Sequence, residues 1–164
     1  MQNSAQEGAV FYVIYNREVP ESTITRTLFS YNTAAGFGAI ILNFAPLRIE
    51  ESVFKANRAR NSASGLVLSD SKVHIQDSQF ASIEQSQDFP HTGGFVVLIS
   101  QSEASLERCV LVEGKAAEGG AIKVLRESYL FVNNCTFKRN EATTGGDIYA
   151  FNHKSIVVKN SEFS

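Results

Sequence analysis

Short apolar bursts alternate with bends rich in Gly, Ser and Asn along the whole chain, and no apolar stripe at helical spacing interrupts them. Such bursts predict strands rather than helices. They also fall into columns. Phe29, Phe54, Phe80, Leu111, Phe137 and Phe163 recur at intervals of 25, 26, 31, 26 and 26 residues. Two residues before each stands a small side chain: Thr27, Ser52, Ser78, Cys109, Cys135 and Ser161. Five before stand Ile24, Ile49, Ile75, Leu106, Val132 and Val158, and seven before stand Ser22, Leu47, Val73, Ala104, Leu130 and Ile156. A fixed period of this size without heptads marks a stacked repeat. Each unit should hold about three short strands. The break between the aliphatic and the small column predicts a corner with the small residue turned inward. Parallel stacking of such units predicts an all-β fold, a right-handed single-stranded parallel β-helix of about six rungs spanning residues 1–164 as one domain.

A second strand opens each unit. Its expected column is Val10, Ile40, Val67, Val96, Ile122 and Ile148, each two residues after a glycine. Three residues before the anchors stand Arg26, Glu51, Asp77, Arg108, Asn134 and Asn160. Stacked in register, Arg26 lies beside Glu51, Asp77 beside Arg108 and Asn134 beside Asn160. Rungs about 4.8 Å apart tolerate such neighbours and not like charges. The longest insertion, residues 83–93, is the expected partner-contact loop, with Phe89, Pro90 and His91 at its tip. Residues 16–22 form a second irregular stretch.

The motif Phe-x-x-Asn occurs at Phe29–Asn32, Phe54–Asn57 and Phe137–Asn140. A Gly-Gly-Ala-Ile turn stands at 119–122, with variants at 37–40 and 145–148. The Phe fills the core, the Asn suits a turn and caps neighbouring peptide groups, and the Gly pair admits a positive φ. This pairing resembles the repeats of chlamydial polymorphic outer membrane proteins and similar β-helix regions of large protist surface proteins. The third and fourth units depart from it, with Ile83 and Gly114 in place of the Asn. What the resemblance implies is an adhesive or structural surface domain, commonly part of a longer chain, and therefore a cell-surface location.

Composition narrows the chemistry. With 43% hydrophobic and 20% charged residues the chain can bury a core. A net charge of -2 gives no reason to expect nucleic acid. No apolar run approaches a membrane span. The start of the sequence lacks a secretory pattern, which points inside the cell if Met1 is the true start. Many β-helices cleave polysaccharides with paired carboxylates. The candidates Glu50, Glu51, Asp70, Asp77, Asp88 and Asp147 form no dense pair and read as surface charge. No catalytic residue, metal cluster or cofactor motif is expected; His74, His91 and His153 are scattered. Cys109 and Cys135 share a column on adjacent rungs, as stacked thiols or, alternatively, a disulfide. Asn134-Cys135-Thr136 is a glycosylation sequon. The expected function is a non-catalytic scaffold or adhesion module. Its expected partners are proteins, adjoining rungs at the open ends, or glycans. A carbohydrate-binding or carbohydrate-cleaving β-helix and an assembly subunit are the alternatives.

Overall fold

The computed structural model describes residues 4–6, 10–14, 20–82 and 94–164. The fold is an all-β parallel solenoid of about five turns, and no helix occurs among the described residues. Each turn passes through three walls, each a six-stranded parallel sheet. The opening wall holds Phe11–Ile14, Ile40–Asn43, Leu66–Ser69, Val96–Ile99, Ile122–Leu125 and Ile148–Phe151. The middle wall holds Ser22–Thr25, Pro46–Glu50, Lys72–Gln76, Glu103–Glu107, Tyr129–Asn133 and Ser155–Lys159. The anchor wall holds Leu28–Ser30, Val53–Lys55, Gln79–Ala81, Val110–Val112, Thr136–Lys138 and Glu162–Phe163. Short strands add a partial fourth wall: Ser4–Ala5, Thr33–Ala34 and Arg58–Ala59 at one end, Lys115–Glu118 and Glu141–Thr144 nearer the other.

The register follows the apolar columns. Phe29 pairs with Phe54, Phe54 with Phe80, Phe80 with Leu111, Leu111 with Phe137 and Phe137 with Phe163. The column from Ile24 to Val158 is continuous, as is that from Ser22 to Ile156. Like side chains stacked this way exclude water from both faces. The rings of Phe29, Phe54 and Phe80 stack with centroids 4.6 Å apart, and Phe137 and Phe163 stack at 4.7 Å. Each buried Phe or aliphatic contributes about 1.5–3 kcal/mol by leaving water, so the columns outweigh any surface pairing.

Corners separate the walls. Between the middle and anchor walls, Arg26, Glu51, Asp77, Arg108, Asn134 and Asn160 all adopt φ between 48° and 54°. Left-handed backbone costs an L-residue on the order of 1 kcal/mol. Each interior corner offsets this by donating its N–H to the next rung, as Arg26 does to the Glu50 carbonyl at 3.0 Å. Phe44, Asp70, Gln101 and Glu127 make the equivalent left-handed corner after the opening wall. The paired glycines behave as their chemistry requires. Gly119 and Gly145 have φ of 65° and 63°, and a Cβ on Gly120 would meet the Gly146 carbonyl oxygen at 2.2 Å.

One expectation is corrected. The opening-wall column runs Phe11, Ile40, Leu66, Val96, Ile122, Ile148, so Val10 and Val67 are each one residue out of register. Gly65 is the cause at the third rung. It occupies the slot of Ala39, Phe95 and Ala121 rather than that of the other glycines, and a Cβ there would meet the Phe95 carbonyl oxygen of the next rung at 2.7 Å and the Phe80 ring at 3.2 Å. Val67 consequently points outward, where it packs with Ile41, Val97 and Ala63 in a second small cluster. Across the last corner the register sets Asn134 beside Asn160 as expected, and the Asn160 side chain donates to the Asn133 side chain at 3.0 Å.

Candidate functional site

Most polar side chains with defined geometry join one rung to the next. In the small-residue column the backbone N–H of Thr27 donates to Ser52 Oγ at 3.1 Å, Ser52 to Ser78 Oγ at 3.0 Å, Cys109 to Cys135 Sγ at 3.3 Å and Cys135 to Ser161 Oγ at 3.0 Å. Each of these side chains then donates back to the carbonyl two residues earlier. A second ladder of the same kind lies after the opening wall. Ala45 N–H donates to Ser71 Oγ at 3.1 Å and Ser102 N–H to Ser128 Oγ at 3.2 Å. Ser71, Ser102 and Ser128 are buried. Sequence reasoning missed this ladder, although the spacings of Ala45, Ser71, Ser102 and Ser128 repeat those of the anchors.

The Asn of Phe-x-x-Asn reaches back one rung. Asn57 accepts from the Asn32 N–H at 3.1 Å and the Asn32 side chain at 2.9 Å, and donates to the Phe29 carbonyl at 2.9 Å. Asn140 does the same for Gly114 and Leu111 at 2.8 and 3.0 Å. The motif is therefore a staple across the turn after the anchor wall, and it satisfies peptide groups that would otherwise be buried without partners.

Ion pairs run along the outside in the same direction. Arg26–Glu51 at 2.9 Å and Arg108–Asp77 at 2.7 Å are the pairs expected from the register. Lys72–Glu103, Lys115–Glu141, Arg139–Glu113 and Lys154–Glu127 add to them. Hydrogen bonds from Arg108 and then Gln76 hold the Asp77 carboxyl below the usual carboxylate range. The hydrogen bond that Lys154 donates to the Glu127 carboxylate holds the Lys154 ammonium above the usual lysine range.

The outer face of the middle wall carries a shallow groove of about 410 Å³. Residues two apart in a strand share a face, so Tyr129 and Phe131 present adjacent exposed rings. Pairing sets Ser105 beside Phe131, His74 beside Ser105, and the paired Lys72 and Glu103 beside Tyr129. His74 Nε2 lies 3.4 Å from Gln76 Oε1. This mixed aromatic and polar surface was not recognised from sequence, because its neighbours are 26 to 31 residues apart and meet only once the register is known.

The structure places the other singled-out residues as follows. Cys109 and Cys135 are free, buried and one above the other. The hydrogen bond with Cys135 and burial push the Cys109 thiol well above the usual thiol range. Asn134 is exposed at its left-handed corner, with its sequon straddling the bend into the anchor wall. Phe89, Pro90 and His91 lie outside the described residues, as do residues 16–19 of the other irregular stretch. His74 and His153 are not brought together, and no group of three metal-ligating side chains occurs among the described residues. No described helix is long and apolar enough to cross a membrane.

Fold and ladders together define a class, the parallel β-solenoid repeat proteins. Within that class, no protein-family model, curated protein or solved structure matches the chain.

Proposed function

We propose that the chain is a non-catalytic scaffold or adhesion module that presents its outer walls to partners. The observation that carries this reading is the use of polar chemistry. The Ser, Thr and Cys ladders, the Asn staples and the ion pairs connect rung to rung and hold a regular surface in place. The contact surface is the groove around Tyr129 and Phe131. Exposed aromatic rings flanked by Ser105, His74 and the Lys72–Glu103 pair suit a protein or glycan partner, since such rings combine large contact area with low conformational cost. The likeness of the Phe-x-x-Asn and Gly-Gly-Ala-Ile motifs to the chlamydial surface-protein repeats supports an adhesive role and a right-handed coil.

Beads coated with the 164-residue chain test this on arrayed glycans and on cell-surface protein preparations. Retention by one of them, lost in a Tyr129→Ala/Phe131→Ala variant of unchanged Tm, is the expected result. Release of new reducing ends from any bound polysaccharide would contradict the non-catalytic reading. It would favour a cleaving β-helix instead.

A further inference from the structure

Within the groove of the middle wall, one pit belongs to the third, fourth and fifth rungs, with further rungs of the coil on either side. The strand Glu103–Glu107 turns Ala104 and Leu106 into the core, so Glu103, Ser105 and Glu107 face out. Ser105 is the smallest of the three and forms the floor. Register places His74 beside it on one rung and Phe131 on the other. These two walls rise from positions two strand spacings apart, about 9.6 Å, with only the serine between them. One ring touching both walls needs about 7–8 Å, since carbon atoms meet at about 3.5–4.0 Å. Tyr129, 43% exposed, extends the Phe131 wall toward the Lys72–Glu103 pair.

We propose that this pit is a subsite for one ring of an uncharged glycan, held on edge over Ser105 between His74 and Phe131. The inference rests on the reading of this face as the contact surface, and it narrows the partner. Three observations select the ligand. The first is charge. Lys72 pairs with Glu103 at 2.9 Å and Arg108 with Glu107 at 2.8 Å, so neither flank leaves a cation for a phosphate, sulfate or uronate. Size is the second. From Lys72 to Tyr129 and from Glu103 to Glu107 the patch measures about 10 by 13 Å, far below the roughly 800 Å² that each partner of a stable protein interface covers. The third is the backbone. The N–H and C=O groups of Glu103–Glu107 are taken by the strands on both sides, so a peptide cannot add a strand here.

A pyranose ring matches the groups that remain. Its two faces carry C–H groups and suit the His74 and Phe131 rings. Its rim carries hydroxyls, which donate and accept. On edge, the lower rim meets the Ser105 hydroxyl, which none of the described residues bonds. The Glu103 and Glu107 carboxylates stand two residues to either side of that serine and accept from the lateral hydroxyls. The upper rim faces solvent, where the rest of the glycan continues.

Amide NMR of the 164-residue chain, titrated with cellopentaose, maltopentaose and chitopentaose and with pentagalacturonate as the acidic contrast, tests the proposal. At least one uncharged sugar should shift the amides of His74, Ser105 and Phe131, and pentagalacturonate should bind at least about tenfold more weakly. Ser105→Leu fills the pit from outside the core and should abolish the shifts with an unchanged far-UV circular dichroism spectrum. Phe131→Ala and His74→Ala should each weaken binding about tenfold, which keeps the test open if Ser105→Leu perturbs folding. Flat titrations with all the uncharged sugars would overturn the subsite. So would pentagalacturonate binding as tightly as they do, or Ser105→Leu binding like the wild type. If the sugars fail while a protein preparation is still retained through Tyr129 and Phe131, the scaffold reading stands and the subsite alone falls. New reducing ends in a sugar that shifts these amides would do the reverse, overturning the non-catalytic reading and leaving the subsite in place.

Discussion

Residues 129–138 and 155–164 are two copies of one unit, and they differ in what lies beyond them. Val132 and Val158 pair directly, as do Phe137 and Phe163, and the two rings stack. Yet the inward side chains Val132 and Phe137 of the earlier copy are buried, while Val158 and Phe163 of the later one are 40% and 45% exposed. The rung does not bury itself. A strand here gains a core only from the neighbours above and below, so stability resides in the interfaces between rungs, as expected of a quasi-one-dimensional fold.

Truncation sharpens that comparison most. Phe137→Ala opens a cavity between two neighbours and should cost about 3–5 kcal/mol. Phe163→Ala, in dilute chain, should cost under about 1 kcal/mol because much of the ring already meets water. Guanidinium midpoints measure both.

The staples should rank next. Asn57→Ala strands the Asn32 N–H and the Phe29 carbonyl in a buried turn and should cost about 1–3 kcal/mol. Asn134→Gly should stay within about 0.5 kcal/mol of wild type, since its left-handed backbone suits glycine and its side chain is exposed. The same denaturation series separates them.

The small-residue ladder gives a smaller effect with an internal control. A Cys109→Ser/Cys135→Ser variant should remain within about 1 kcal/mol of wild type, because Ser52, Ser78 and Ser161 already hold that column. Cys135→Val removes the acceptor for the Cys109 N–H and should cost more. A disulfide reagent should label neither thiol until the chain unfolds.

The smallest effect lies on the surface. The Asp77 carboxyl is held low in the fold, so its contribution is present above the ordinary carboxylate pKa and is lost as pH falls through the lowered value. Asp77→Asn should therefore lower Tm slightly near pH 7 and match the wild type near about pH 2. A difference that persists in acid would show that the Arg108 pair is not its source.

The anchor, aliphatic and small columns were legible in the sequence because one residue class repeats at one period through six copies. The corner was legible for the same reason, and its charge pairs Arg26–Glu51 and Asp77–Arg108 followed from the register. Glycine was a poorer marker. Gly65 serves the close approach of the Phe95 carbonyl and the Phe80 ring rather than the turn, and using it as a ruler displaced the third rung of the opening wall by one residue. The serine ladder was visible in spacing but not in hydrophobicity, since Ala45 and the serines look like turn filler. The direction of the Asn staple is a three-dimensional property. So is the meeting of Tyr129 and Phe131 with Ser105 and His74. Neither leaves a local sequence signal.

Residue-resolved amide exchange on dilute chain tests the central claim most directly. Protection should be high and similar in Glu103–Glu107 and Tyr129–Asn133, then fall at Ser155–Lys159. Equal protection of all three strands at the highest dilution would contradict the account, because burial would then come from within each rung rather than from its neighbours.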